Sequence, residues 1–513
     1  MSAARAAVFA LAALLLAAPG FARAQGAAPP AAGAIPDVRT IRAAVRAAEH
    51  APAAYRETVV IASSDGTATT ERRYVRGDDE RVIDDDGTFH TESGSRNGTR
   101  WLQNRNGQTV TDRADPGRAV PERVRTVLSV TPAGAYVVAM LNAKGRGRKE
   151  YVDPATWRVV RRERIVANGT IVTTYEDVRD DRGRVFAHGW HVDDPVQQTT
   201  SDARVTEYEP GAVSDVDLAQ PPSRRTLVAF PDGVTAAVLP AEFDRHIYVR
   251  VTIAGRGMDF VLDTGASGIV LDTKVARDLG LRLYAEHSNV VAGRTTYARA
   301  VVPEMQTGPL AMRDVAVIVV PLGWKEAGHV RVAGLLGFDF LAQLGVTIDY
   351  ENRRVTVVPS GAYAAPSDPH TSALDVRLGR GIPLVTASLD GAFAERVGID
   401  TGGVGAFLLF DYFTRRNPAP LPDIDALGGG ETTLAGVGGG FAASSALVSS
   451  FEVGGFRFRN VRGSRVTSDQ SFSQDSDGVI GEGLLRYFTL GLDYANERVY
   501  LTPNAEGRKA LAL

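Results

Sequence analysis

Two aspartates in this chain share the same unusual setting. Asp263-Thr264-Gly265 follows the apolar run Phe260-Val261-Leu262, and Asp400-Thr401-Gly402 follows Val397-Gly398-Ile399. Each carboxylate stands at the end of a strand-like segment and is followed by a hydroxyl residue and a glycine. Two carboxylates about 3 Å apart cannot both ionise, so they share a proton. One then acts as base toward a water while the other acts as acid toward a carbonyl, and the titration belongs to the pair. Such a pair can add water to an amide with neither a metal nor a covalent nucleophile. The glycines let the backbone turn tightly and approach the carboxylates closely. Taken singly, each aspartate reads better as a turn residue capping its own loop. The doubling points to chemistry.

The elements around the two triplets are doubled as well. Gly334-Leu335-Leu336-Gly337 begins a segment that continues through Asp349-Tyr350 to Val355, and Gly478-Val479-Ile480-Gly481 begins one that continues through Asp493-Tyr494 to Val499. The two align without a gap. Each reads as a short apolar strand, one helical turn and a hairpin closed by a polar Glu-Asn or Asn-Glu turn. Each lies about 70–80 residues after its Asp-Thr-Gly. The triplets themselves end hairpins. Tyr248–Ile253 turns through 254–257 into Met258–Leu262, and Leu384–Leu389 turns at Asp390-Gly391, a strong two-residue turn signal, into Ala392–Ile399.

On these motifs the chain resembles the pepsin and retropepsin family of aspartic proteases over roughly residues 236–505. The resemblance implies a mainly β fold, with a bilobed pepsin-like protease (lobes 236–362 and 371–505) preceded by an α+β antiparallel-sheet domain. It implies an aspartic endopeptidase acting on a peptide or protein substrate, with Asp263 and Asp400 catalytic and Thr264, Gly265, Thr401 and Gly402 supporting them. The family's threonine hydroxyls bond across to the opposite lobe's loop. The segments ending in Gly337 and Gly481 would pack behind the catalytic loops. A covering hairpin would fall at Val290–Ala300, with Gly293 at its turn and Tyr297 as its aromatic residue. Pepsin-like enzymes commonly carry Ser or Thr three residues after each catalytic aspartate, where this chain has Ala266 and Gly403. A missing donor to the ionised carboxylate raises its pKa, so the working range is expected nearer neutrality than pepsin's. The second triplet, followed by Gly403-Val404, leaves two alternatives open. One is catalysis by a dimer of first lobes. The other is an inactive periplasmic peptide- or lipid-binding protein on a protease-like fold.

Other candidates read as structure. His188 and His191 look like a metal pair, but on a strand an offset of three points to opposite faces, so they are expected as turn and surface histidines. Asp84-Asp85-Asp86-Gly87 lacks the alternating oxygens and final Glu of a calcium loop and is expected to be a solvated turn. Gly436–Gly440 has no strand-to-helix setting for a nucleotide and reads as a loop of the second lobe, a flap equivalent. No cofactor or metal is required by the chemistry.

The 513 residues carry a formal net charge of −3, which gives no electrostatic case for nucleic acid or an anionic membrane. There is no cysteine, so disulfides, thiolate catalysis and Cys-based zinc sites are excluded. With 53 Gly and 26 Pro, many short strands and turns are expected. Arg5, the apolar run Ala6–Ala18 and Ala22-Arg23-Ala24 read as a signal peptide over 1–24, cleaved before Gln25, for a periplasmic or secreted protein. No stable membrane insertion is expected, and a monomer is.

An Ala/Pro/Gly linker follows at 25–35, then an α+β domain at 36–215 and a connector at 216–235. Asp37 is placed to cap a helix with the stripe Val38, Ile41, Val45 and Ala48. Strands are expected at Tyr55–Ala62, Thr70–Arg76, Thr99–Gln103, Arg158–Val166 and Thr170–Tyr175. Through Asn97–Gln103 and Tyr151–Trp157 this domain resembles the curved-sheet periplasmic lipoprotein carriers, which implies an apolar groove for lipid or peptide.

Overall fold

The computed structural model describes residues 35–513 apart from 114–124, 143–144, 167–168, 291–293, 323–331, 380, 418–430, 438 and 468–475. The expected signal peptide and nearly all of the 25–35 linker lie outside the described residues. The chain divides into two compact units, 1–222 with 287–289, and 223–286 with 290–513. It is mainly β, and among the described residues no helix is long and apolar enough to cross a membrane.

The first unit is built on one helix and one antiparallel sheet. The helix Val38–Glu49 starts where expected. Asp37 accepts the Thr40 N–H at 2.7 Å, and Ile41 and Val45 are buried against Val138 and Val152. Burying each such side chain contributes roughly 1.5–3 kcal/mol. Thirteen strands are described in the sheet. Its central strand is Thr199–Pro210, paired on one edge with Ala54–Ser63, which pairs in turn with Ala68–Arg76.

Three expectations for this unit need correction. Asp84 and Asp85 belong to the strand Asp79–Asp85, where Asp84 faces Glu71 and Thr91 and is only 5% exposed. The turn begins at Asp86, which accepts the N–H groups of Thr88 and Phe89. His188 and His191 both lie on the strand Arg184–Asp194. His188 is buried, stacked on Phe186 and bonded to Asp181, whereas His191 bonds to Asp202.

The expected apolar groove is crossed by charge. Pairing places Val138, Glu150 and Arg162 on one face, the face that carries the helix. Arg162 binds Glu150 at 3.1 Å, and Arg73 binds Glu57 at 3.2 Å and Glu71 at 2.7 Å. Arg184 reaches Glu57 at 3.7 Å and lies over Tyr55 and Phe186. Alternation along the strands sets guanidinium and carboxylate opposite one another, where a lipid chain would need unbroken apolar surface.

In the second unit the sequence repeat becomes a repeat of topology. Arg256–Leu262 pairs in parallel with Gly334–Leu336, which pairs antiparallel with Val270–Asp272. Ala392–Ile399 pairs in parallel with Gly478–Ile480, which pairs antiparallel with Phe407–Leu409. Each set belongs to its own sheet. A third, six-stranded sheet joins the copies, with Leu344–Asp349 antiparallel to Phe488–Asp493. The helical turns Phe338–Leu341 and Glu482–Leu485 fall where the sequence places them. Asp390 and Gly391 have φ of 48° and 82°, as the two-residue turn requires. The first hairpin is tighter than expected. Its turn is Ala254-Gly255, with Ile253 opposite Arg256.

Candidate active site

Each triplet is held by the strand arrangement just described. The Asp263 N–H donates to the Leu336 carbonyl at 3.0 Å, and the Asp400 N–H to the Ile480 carbonyl at 2.9 Å. Each loop then closes on itself. The Ala266 N–H donates to the Asp263 carbonyl at 3.3 Å, and the Gly403 N–H to the Asp400 carbonyl at 3.2 Å. The short helices support the loops from behind. The Phe338 N–H donates to the Ala266 carbonyl at 2.9 Å, and the Glu482 N–H to the Gly403 carbonyl at 2.6 Å. A Cβ at Gly337 would stand 2.4 Å from the Ala266 oxygen, and one at Gly481 2.5 Å from the Gly403 oxygen. The glycine that ends each apolar segment is therefore required by this close packing.

The two loops interlock through their threonines. The Thr264 hydroxyl donates to the Ile399 carbonyl at 2.6 Å and accepts the Thr401 N–H at 3.0 Å. The Thr401 hydroxyl donates to the Leu262 carbonyl at 2.7 Å and accepts the Thr264 N–H at 3.1 Å. All four bonds are buried, where neutral hydrogen bonds are hardest to replace.

This lock brings the carboxyl groups of Asp263 and Asp400 into hydrogen-bond contact. Asp263 is buried and Asp400 half-buried. A Cβ on Gly265 would lie 2.6 Å from an Asp400 carboxylate oxygen, and one on Gly402 2.6 Å from an Asp263 oxygen. Only glycine leaves room for the opposite carboxylate at these positions. Burial, and then the Asp400 charge, raises the Asp263 carboxyl well above the ordinary range. Burial raises Asp400 too. The pair therefore holds a proton to higher pH than an isolated aspartate.

The missing hydroxyls at Ala266 and Gly403 are partly replaced by main-chain donors. The Gly265 N–H donates to Asp263 Oδ1 at 2.8 Å, and the Gly402 N–H to Asp400 Oδ1 at 2.9 Å. The N–H groups of Ala266 and Gly403 also bear on the two carboxylates and favour their ionised forms. Residue types gave no signal for these donors, because any residue supplies an N–H and only the loop conformation aims it.

The segment Val290–Ala300, expected as a covering hairpin, lies where the longer strands Tyr284–Val290 and Arg294–Thr307 meet, and its expected turn at Gly293 lies outside the described residues. Tyr297 packs on the buried cluster of Tyr248, Val261 and Leu335, which Ala266 also touches. Val437, from the glycine-rich hairpin Thr432–Gly436 and Gly439–Val453, packs on that same cluster. Hairpins from both copies thus reach the core beneath the first Asp-Thr-Gly loop.

Sequence reasoning missed Tyr350, Tyr494 and Glu482. The tyrosines follow the strands that join the two copies. Glu482 opens the second helical turn, where burial pushes its carboxyl up to about 7.

A protein-family model described as "Aspartyl protease" matches residues 249–340. A curated relative from Sinorhizobium sp., described as an uncharacterized protein in the cobV 5′ region, is 28% identical over 127 residues, 24% of this chain. The chain spans about half (52%) of that relative's length. Among solved structures, a LolA superfamily protein from Nitrosomonas europaea is similar at 9% identity with a TM-score of 0.28, covering 36% of this chain and 97% of its own. A crystal structure described as "edgp" is similar at 11% identity with a TM-score of 0.32, covering 54% of this chain and 97% of its own. The family match takes in Asp263 and the Gly334–Gly337 segment, so the chain is similar to aspartyl proteases across its first Asp-Thr-Gly copy.

Proposed function

We propose that this chain is an aspartic-type endopeptidase with a bilobed, pepsin-like protease unit in which Asp263 and Asp400 are the catalytic pair. The observation that carries the reading is the hydrogen-bonded contact between the two carboxyl groups at the meeting point of two interlocked Asp-Thr-Gly loops. In the resting state the pair holds one proton. The ionised carboxylate removes a proton from a water positioned between the two groups. The protonated one donates to the substrate carbonyl oxygen as the water oxygen bonds to the carbonyl carbon. The tetrahedral product then breaks at its C–N bond, with a proton returned to the leaving amine. Thr264, Gly265, Thr401 and Gly402 hold the geometry and take no proton.

Incubating the purified protein with a peptide library, with and without a statine-type inhibitor, tests the reading. Cleavage that the inhibitor blocks is expected. Asp263→Asn and Asp400→Asn should each lower kcat/KM by at least about 10³-fold, the scale of lost acid–base catalysis, with folding intact. We further propose export with cleavage before Gln25, which intact-mass measurement of protein from the periplasm or medium checks. A retained Met1 would count against it.

A second reading is favoured by one asymmetry. The family match stops at residue 340, short of Asp400. On that reading the unit binds peptide or lipid without cutting it. Saturable peptide binding with no product formed over days, under conditions that keep the dyad singly protonated, would select it.

A further inference from the structure

Two tyrosines stand at equivalent places in the two copies, directly after the strands that pair across the unit. Tyr350 follows Leu344–Asp349, and Tyr494 follows Phe488–Asp493. The Tyr494 side chain is buried, the Tyr350 ring is half-buried, and both hydroxyl oxygens are shut off from solvent with no hydrogen-bond partner among the described residues. A buried hydroxyl without a partner costs stability, so two at matched positions require a reason.

The surroundings supply one. The Tyr494 ring stacks on Phe338, with centroids 6.0 Å apart, and the Phe338 N–H is bonded to Ala266 in the first catalytic loop. The Tyr350 ring meets Phe243 edge-on at 5.8 Å. The second copy has Glu482 where the first has Phe338, and its N–H is bonded to Gly403 in the second catalytic loop. The electrostatic pairing crosses between copies. Tyr494, from the second copy, lies within reach of the Asp263 charge, and Tyr350, from the first, within reach of Asp400 and Glu482. Burial first, and these charges second, keep both phenols protonated.

We propose that Tyr350 and Tyr494 are positioning residues of the dyad, each presenting a neutral hydroxyl dipole to the carboxyl of the opposite copy, and that Glu482 competes with Asp400 for the Tyr350 hydroxyl. The mechanistic meaning rests on the peptidase reading. A phenol can point its proton at only one acceptor at a time. With Glu482 protonated, the Tyr350 dipole is free to favour ionised Asp400. With Glu482 ionised, the phenol turns toward it and Asp400 holds its proton more strongly. The groups facing Glu482 are Arg486 on its own helix, Asp244 from the first copy, and Tyr350. Those facing the dyad are the main-chain N–H groups of residues 265, 266, 402 and 403 and the two phenols. Phe338 cannot compete in this way, so the two sides of the dyad respond differently to pH.

The test is a carboxyl-carbon NMR titration of full-length protein labelled at aspartate, with Asp263→Asn and Asp400→Asn assigning the pair. Tyr494→Phe and Tyr350→Phe each remove one oxygen. Each should raise the titration midpoint, strengthening proton binding roughly three- to tenfold, with thermal stability held or increased. Glu482→Gln should move the midpoint in the opposite direction, and that shift should vanish in a Tyr350→Phe background. Unchanged midpoints in both phenylalanine variants would overturn the proposal, as would a Glu482→Gln shift indifferent to the Tyr350 hydroxyl. Glu482→Gln lies at a half-exposed position and keeps the test available should a tyrosine variant fold poorly. The titration decides the matter whether or not peptides are cleaved. Shifted midpoints in a protein that cuts nothing would remove the peptidase reading and leave the positioning intact.

Discussion

At the scale of single residues, the peptidase reading makes the donors to the two carboxylates set the working pH. Ala266 occupies a position where a hydroxyl would lower the dyad's proton affinity, and main-chain N–H groups do part of that work. Adding the hydroxyl should finish it. Ala266→Ser is expected to move the acid limb of the kcat/KM profile down by about half to one pH unit, because a donor to the ionised form favours that form. An upward movement, or a wild-type optimum already as acidic as pepsin's, would count against the argument. The matching change in the second copy is less clean, since a Cβ at Gly403 would stand 3.1 Å from Asp400 Oδ2 and must displace it. Linkage gives a second expectation. The Asp263 carboxyl is raised in the folded state, so between about 3.9 and its folded value the folded protein carries the extra proton. Stability attached to this group is therefore lost as pH rises through that window. The Tm of Asp263→Asn relative to wild type should climb between pH 4 and pH 7, and a falling difference would show that the aspartate is not strained by burial.

At the scale of elements, the site depends on two loops that hold each other. Thr401→Val keeps the shape but leaves the Leu262 carbonyl and the Thr264 N–H buried without their partner. Two such groups cost about 2–4 kcal/mol together, and the loosened dyad should lose on the order of 10²-fold in kcat/KM. Denaturant unfolding and steady-state kinetics on Thr401→Val and Thr401→Ser check this, with the serine variant restoring most of both. Equal stability of the valine variant and wild type would mean the lock is not structural. These loops were legible in the sequence because their constraints are local. An Asp-Gly turn, an apolar run and a glycine forced by close approach each leave a mark within a few residues. Pairings between distant segments left no such mark. Nothing local announces that Asp349 faces Thr489, or that Asp84 turns inward from an acidic run. The charged face of the N-terminal sheet was hidden for the same reason. Arg162 and Glu150 lie on different strands, and only their register sets one opposite the other.

At the scale of the whole molecule, the open question is whether one chain supplies both halves of the site. A dimer of first copies would need a free strand edge where Leu344–Asp349 could meet its counterpart. That strand is paired on both sides within the chain, with Arg354–Pro359 on one edge and Phe488–Asp493 on the other. Thr264 likewise finds its partners in the second copy. A second chain could enter only after five cross-copy residue pairs and the threonine lock had come apart. The chain should therefore act as a monomer, with specific activity constant from nanomolar to micromolar protein and a single monomer boundary in sedimentation velocity. Mixing gives the sharper result. If the dyad is made within one chain, Asp263→Asn and Asp400→Asn are each inactive and stay inactive when combined. If first copies pair between chains, Asp400→Asn retains activity that rises with the square of its concentration at high dilution, and dilution with Asp263→Asn suppresses it. The intrachain pairing of the two repeat strands selects the first outcome.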